Sequence, residues 1–204
     1  MEKFKNFTAK AALLNRVNVD TDAVIPKQFL RSVGRGNLGK NLFYDWRYLD
    51  GNNYEPNPEF ELNLPRHQGA RVLVAGDNFG CGSSREQAPW ALVDYGFKTI
   101  VSTSFADIFY NNSIKNGLLP AIVSAGDLDK LIGEFAAGKG LEISVNLEEK
   151  TLTTSTGVSL AFTIADHARD SLIKGLDDIS STLEHMGKIE QFEAKSKADF
   201  PWLG

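Results

Sequence analysis

An α/β fold with a largely parallel sheet is what this sequence predicts, and three observations predict it. Short apolar, β-branched runs ending near glycine recur at 70–76, 97–103 and 118–124. Segments with helical spacing separate them at 84–96 and 104–117. Strand, helix, strand, helix, strand at this interval is the grammar of a βαβαβ unit with right-handed crossovers.

Composition sets the frame. The chain has 204 residues, 42% of them hydrophobic and 24% charged, so it can bury a core as one soluble domain without disulfides. It holds a single cysteine, Cys81, which cannot close an intrachain disulfide, complete a four-thiolate zinc site or hold an iron–sulfur cluster by itself. The net charge of -4, without a basic block, argues against a nucleic-acid partner. No apolar run approaches the length of a signal peptide or a membrane span, so a cytoplasmic, membrane-free protein is expected.

Taken in order, residues 1–65 read as irregular, with loops at GRGNLGKN (34–41) and DGNNYEPNPE (50–59). The first of these carries three glycines and two cations and is a candidate mobile loop. ARVLVAG (70–76) is the first strand, and SREQAPWALVDYG (84–96) is a helix closed by Gly96. FKTIVST (97–103) follows. The helix over 104–117 has Ser104 or Thr103 as its expected cap and Gly117 as its end. LLPAIVS (118–124) is a strand, and the next helix runs from a capping Asp127 to Gly138. LEISVNLEEKTLTTSTGVSLAFTI (141–164) alternates as two or three hairpin strands, after which the chain is polar and helical. The whole reads as one domain with a helical extension at about 166–204.

The junction GDNFGCGSSRE (76–86) carries the chemistry. Gly76, Gly80 and Gly82 permit positive φ and close approach of a ligand to the main chain. The helix start beyond them offers unpaired N–H groups, Ser83 and Ser84 add hydroxyls, and Arg85 adds a planar fork for a carboxylate or phosphate. That combination reads as an anion site. The same residues also read as plain structure, since Ser83-x-x-Glu86 has the form of a capping box. Arg85 favours function, because a cation in a first helical turn needs an anion or carboxylate to offset it. The glycine spacing fits neither a dinucleotide fingerprint nor a P-loop, and G-S-S-R-E lacks the closing glycine of a hydrolase elbow. Cys81 as an activated thiol served by His67, His167 or His185 is a further alternative. The histidines form no spaced metal-binding cluster. In NVDTDAVIPKQFL (18–30), Asp20 and Asp22 flank Thr21 and read as turn-capping aspartates.

Together NVDTDAVIPKQFL, LFYDWRYLD, GDNFGCGSSREQAPWAL and SFADIFYNNSIKNGLLP, in that order, resemble the small subunits of 3-isopropylmalate dehydratases in the aconitase superfamily. The resemblance spans most of 1–125 and continues more weakly to the end. It implies a swivelling β/β/α layered domain that closes over a cluster-bearing large subunit. It also implies isomerisation of 2- and 3-isopropylmalate by dehydration and rehydration, in leucine biosynthesis. By the same resemblance Ser83 takes the substrate proton, Ser84 and Arg85 bind a carboxylate, and Thr21 and Asp22 sit against the active site; Gly82, where a ligand can approach the main chain, is expected to bind substrate with them. Arg31 or Arg35, in the loop 31–41, meets the other carboxylate. The 4Fe–4S cluster is expected on the large subunit, with none bound by this chain. The family's usual histidine after G-S-S-R-E is Gln87 here, which removes a titratable group. A small subunit of a citraconate, methylmalate or homoaconitate hydro-lyase, or a stand-alone dicarboxylate-binding module, are the alternatives.

Overall fold

The computed structural model describes residues 1–30, 36–49, 54–136, 140–176, 178–200 and 202. In chain order the elements are β1 (Phe7–Leu14), α1 (Thr21–Val24), α2 (Tyr44–Arg47), β2 (Val72–Ala75), α3 (Gln87–Tyr95), β3 (Thr99–Ser102), α4 (Asp107–Lys115), β4 (Leu119–Ile122), α5 (Ala125–Ala136), β5 (Leu141–Asn146), β6 (Thr151–Thr154), β7 (Ser159–Ala161), α6 (Asp166–Lys174), α7 (Asp178–Leu183) and α8 (Met186–Asp199).

One seven-stranded sheet runs in the order β4-β3-β2-β1-β5-β6-β7. Strands β2, β3 and β4 pair in parallel, as the βαβαβ reading requires. Strands β5, β6 and β7 are antiparallel, as the hairpin reading requires. The central strand, however, comes from the stretch read as irregular. β1 pairs in parallel with β2 (Ala11↔Val72) and antiparallel with β5 (Thr8↔Ser144), and so joins the two halves. Its sequence, FTAKAALL, has three alanines and a lysine where a strand signal needs β-branched residues, so tertiary pairing decides its state.

Burial follows the same division. β2 and β3 are buried along their full length, with Val72 and Val74 packed on one face and Leu73 and Ala75 on the other. Helices cover both faces there, which is why these strands read as continuous apolar runs. β5 alternates, burying Leu141, Ile143 and Val145 and leaving its other face wetter. Three helix starts differ from expectation. Thr103 and Ser104 do not cap α4, because both hydroxyls bond Asp77 instead. Ser124, not Asp127, supplies the oxygen at the start of α5, accepting the Asp127 N–H at 3.1 Å. α3 begins at Gln87, three residues later than read. No helix among the described residues is long and apolar enough to cross a membrane.

Candidate functional site

The turn 76–86 leaves the carboxyl end of β2 and is held from two sides. On one side Gly80 N–H donates to Val19 O at 2.7 Å, Thr21 N–H donates to Cys81 O at 2.9 Å, and the Thr21 hydroxyl donates to Ser83 O at 2.8 Å. On the other, Phe79 N–H donates to Ser104 O, Ala106 N–H donates to Phe79 O, and Asp77 Oδ1 accepts from Thr103 and Ser104 at 2.7 and 2.6 Å. Those hydroxyl bonds, Ser104 first, hold the Asp77 carboxyl below its ordinary range. Phe79 is fully buried against Phe105 and Phe109, which pins the middle of the turn.

Glycine is required at two points. Gly80 has φ +79°, and a Cβ there would lie 2.1 Å from Phe109 Cγ. Gly76 lacks positive φ, yet a Cβ would meet Arg16 O at 2.5 Å, so its role is close backbone approach. Gly82, at φ +84°, lies open beside Asp20 and Thr21.

The structure gathers Thr21, Asp22, Gly82, Ser83, Ser84 and Arg85 in one place. Arg85 Nη1 donates to Asp22 Oδ1 at 2.5 Å and to Ile25 O at 3.3 Å. Its side chain is 16% exposed and that of Asp22 is 52% exposed. Nε and Nη2 donate to nothing among the described residues, so three of the five guanidinium N–H groups stay available to a bidentate acceptor. Ser83 and Ser84 are exposed, and neither hydroxyl has a partner among the described residues. The arrangement brings two hydroxyls and three guanidinium N–H groups without partners among the described residues to one place.

The capping box does not form. Residue Glu86, not Ser83, is the N-cap of α3, and its carboxylate accepts from Asn116 Nδ2 at 3.2 Å. Arg85 therefore precedes the helix, and Asp22 supplies the offsetting carboxylate. Asp20 does cap, accepting the Ala23 N–H at 2.6 Å, whereas Asp22 reaches across to Arg85. Arg31 and Arg35 lie outside the described residues. The sequence reading missed Asp77, Thr103 and Ser104 as braces; an aspartate directly after a strand-ending glycine was the available signal.

Cys81 does not have the character of an activated nucleophile. Burial and the Asp20 carboxylate both push its thiol up, so the thiolate is disfavoured. No hydrogen bond joins it to His67, His167 or His185 among the described residues, and His67 instead sits before β2 with Nδ1 on Glu61 O.

Likeness to known proteins identifies the family. Residues 1–126 match the aconitase C-terminal domain, and 178–204 match the C-terminal domain of 3-isopropylmalate dehydratase small subunits. The 3-isopropylmalate dehydratase small subunit of Psychromonas ingrahamii is 54% identical over 203 residues, covering 100% of this chain and 99% of that one. That of Magnetococcus marinus is 52% identical over 209 residues, covering 99% and 98%. A solved structure titled 3-isopropylmalate dehydratase, from Methanocaldococcus jannaschii, superposes with a TM-score of 0.65 at 24% identity, over 94% of this chain and 99% of that chain, and shows the shared fold. The chain belongs to the family of 3-isopropylmalate dehydratase small subunits.

Proposed function

We propose that the turn 83–85 is the part of a hydro-lyase that grips an alkylmalate carboxylate and removes the substrate proton. Arg85 supports this reading most directly: its Nη1 is fixed by Asp22 and Ile25 while its remaining donors face no partner among the described residues. A guanidinium oriented in advance grips a planar carboxylate bidentately at little cost in side-chain freedom. The adjacent Ser84 hydroxyl donates a further bond to that carboxylate. Ser83 Oγ takes the proton from the substrate carbon next to the one bearing the hydroxyl, and returns it on rehydration. Serine is a weak base, so the alkoxide needs donors, and the N–H groups of Gly82, Ser83 and Ser84, which have no acceptor among the described residues, are the ones this turn offers. Thr21, bonded to Ser83 O, and Asp22 act as positioning residues.

Departure of the hydroxyl is the other half of the dehydration, and this chain's residues do not fit the cluster that the family resemblance implies. One cysteine cannot supply three thiolates, and among the described residues no three His, Cys, Asp or Glu side chains gather. The partner in this reading is the large subunit, which carries the four-iron, four-sulfur cluster. Substrates are 2- and 3-isopropylmalate, with Arg31 or Arg35 reading the second carboxylate.

The test mixes this chain with a cluster-loaded large subunit and follows hydration of isopropylmaleate. Ser83→Ala is expected to lower kcat by about 10²–10⁴-fold while assembly, read by gel filtration, is unchanged. Undiminished turnover would overturn the base assignment. Tight dicarboxylate binding by the isolated chain, with no activity on mixing, would favour a stand-alone binding module.

A further inference from the structure

The amino ends of the parallel strands hold a second feature, remote from the turn. A cavity of about 570 Å³ opens there, within the size range of small-molecule sites. It is lined by the residues that lead into β2, β3 and β4, together with Lys3 and Phe4 of the amino-terminal arm. Gly69, Gly96 and Gly117 rim it, each at positive φ, and the space beside the first two is empty. At about 3.3 Å per residue, the five steps from Arg71 to Gly76 put roughly 16 Å between this cavity and the catalytic turn.

Its charge is unusual for a chain with net charge -4. Lys3, Arg71, Lys98 and Lys115 line it, against one carboxylate, Glu2. Lys115 lies in the last turn of α4 and answers that helix's own negative end. For the other three no ion pair occurs among the described residues. Arg71 and Lys98 stand one step before the Val72↔Thr99 pair, so the two cations occupy adjoining positions on neighbouring strands. Like charges placed this way are destabilising in a sheet. Glu2 and the carboxyl end of α3, worth about half a charge, offset only part of this, so the lining keeps a positive excess. Tyr95 and Phe97 add an apolar wall.

We propose that this cavity is a binding site for a small organic anion of about two negative charges, a dicarboxylate or a phosphate ester. The anion bridges Arg71 and Lys98, with Lys3 closing over it, and so relieves the like-charge pair.

The experiment titrates the full-length chain separately with succinate and with inorganic phosphate, following the amide resonances of Gly69, Gly96 and Gly117. Saturable shifts of those amides are expected with at least one of the two, and the stronger response tells carboxylate from phosphate chemistry. In the double variant Arg71→Gln, Lys98→Gln the affinity falls by about tenfold or more. Without ligand that variant melts no lower than the parent, which separates lost binding from lost folding. Silence of all three amides up to about 10 mM of either anion, or the same response in the variant, would overturn the proposal. So would silence to both anions combined with protection of these amides on adding the large subunit, which would make the surface a protein interface. The catalytic reading of Ser83 and Arg85 stands or falls separately, by turnover.

Discussion

The two ends of the parallel strands are built from the same three strands and the same two helices, yet they are finished in opposite ways. At the carboxyl end the segment 18–25 folds back onto the turn 76–86, ties it by backbone and side-chain bonds, and pairs Arg85 with Asp22. At the amino end the connections stay open around a cavity, and Arg71 and Lys98 form no ion pair among the described residues. Placement of the cluster 83–85 therefore comes less from the βαβαβ frame than from the strap laid across one end. The strap fixes backbone and one guanidinium nitrogen, and leaves the two serine hydroxyls exposed.

One glycine substitution at each end separates the two most strongly. Gly80 and Gly69 have nearly the same φ, +79° and +75°. An alanine at either adds the left-handed strain of about 1–2 kcal/mol. At Gly69 nothing lies within 4 Å of the new methyl, whereas at Gly80 it would overlap Phe109. Overpacking adds about 1–3 kcal/mol, so Gly80→Ala is expected to lose roughly 2–5 kcal/mol and Gly69→Ala no more than the strain. Urea denaturation of both variants checks this, and equal losses would mean that Phe109 yields and the turn is not pinned.

The next effect is on binding. Arg85→Lys replaces a fork with a point charge and is expected to raise KM by about tenfold or more. Arg66→Lys, an exposed exchange at the amino end, should leave KM alone. Steady-state hydration of isopropylmaleate by the assembled enzyme reads both. An unchanged KM in Arg85→Lys would remove that residue from the carboxylate grip.

Much of this frame was legible because local and tertiary signals agree in it. β2 and β3 are apolar along their length since both faces are covered, and glycines mark the ends of α3 and α4 because the chain turns there with positive φ. The site cluster was legible as a motif, and Thr21 and Asp22 through the family resemblance. What was hidden depends on long-range pairing. β1 has the composition of a helix and becomes a strand because β2 and β5 flank it. Ser83-x-x-Glu86 and Ser104 have the form of caps, but Asp77 takes the Ser104 hydroxyl and Asn116 donates to the Glu86 carboxylate, while the Ser83 hydroxyl has no partner among the described residues. A capping signature records what a side chain can do locally, and here partners distant in sequence take up Ser104 and Glu86 instead.

The smallest effects concern pH, where the two ends should respond at different values. His67, at the amino end, is 4% exposed, and burial lowers its pKa below the ordinary 6.5. Its unfolded form therefore binds a proton where the folded form does not, and stability falls as pH drops from about 6.5 toward the folded value. Asp77, at the carboxyl end, is shifted down by its bonds from Ser104 and Thr103. Its contribution is fully present above the unfolded pKa, about 3.9, and is lost as pH falls through the lower folded value. Melting temperature against pH should thus show two separate losses. His67→Gln, which keeps a donor for Glu61 O but cannot titrate, should remove the one near neutrality only. Asp77→Asn should flatten the acid limb only, because the amide oxygen still accepts from Thr103 or Ser104 while the carboxylate's titration is gone. If either variant moves both limbs, the two ends are coupled through β2, and the strap and the cavity behave as one unit.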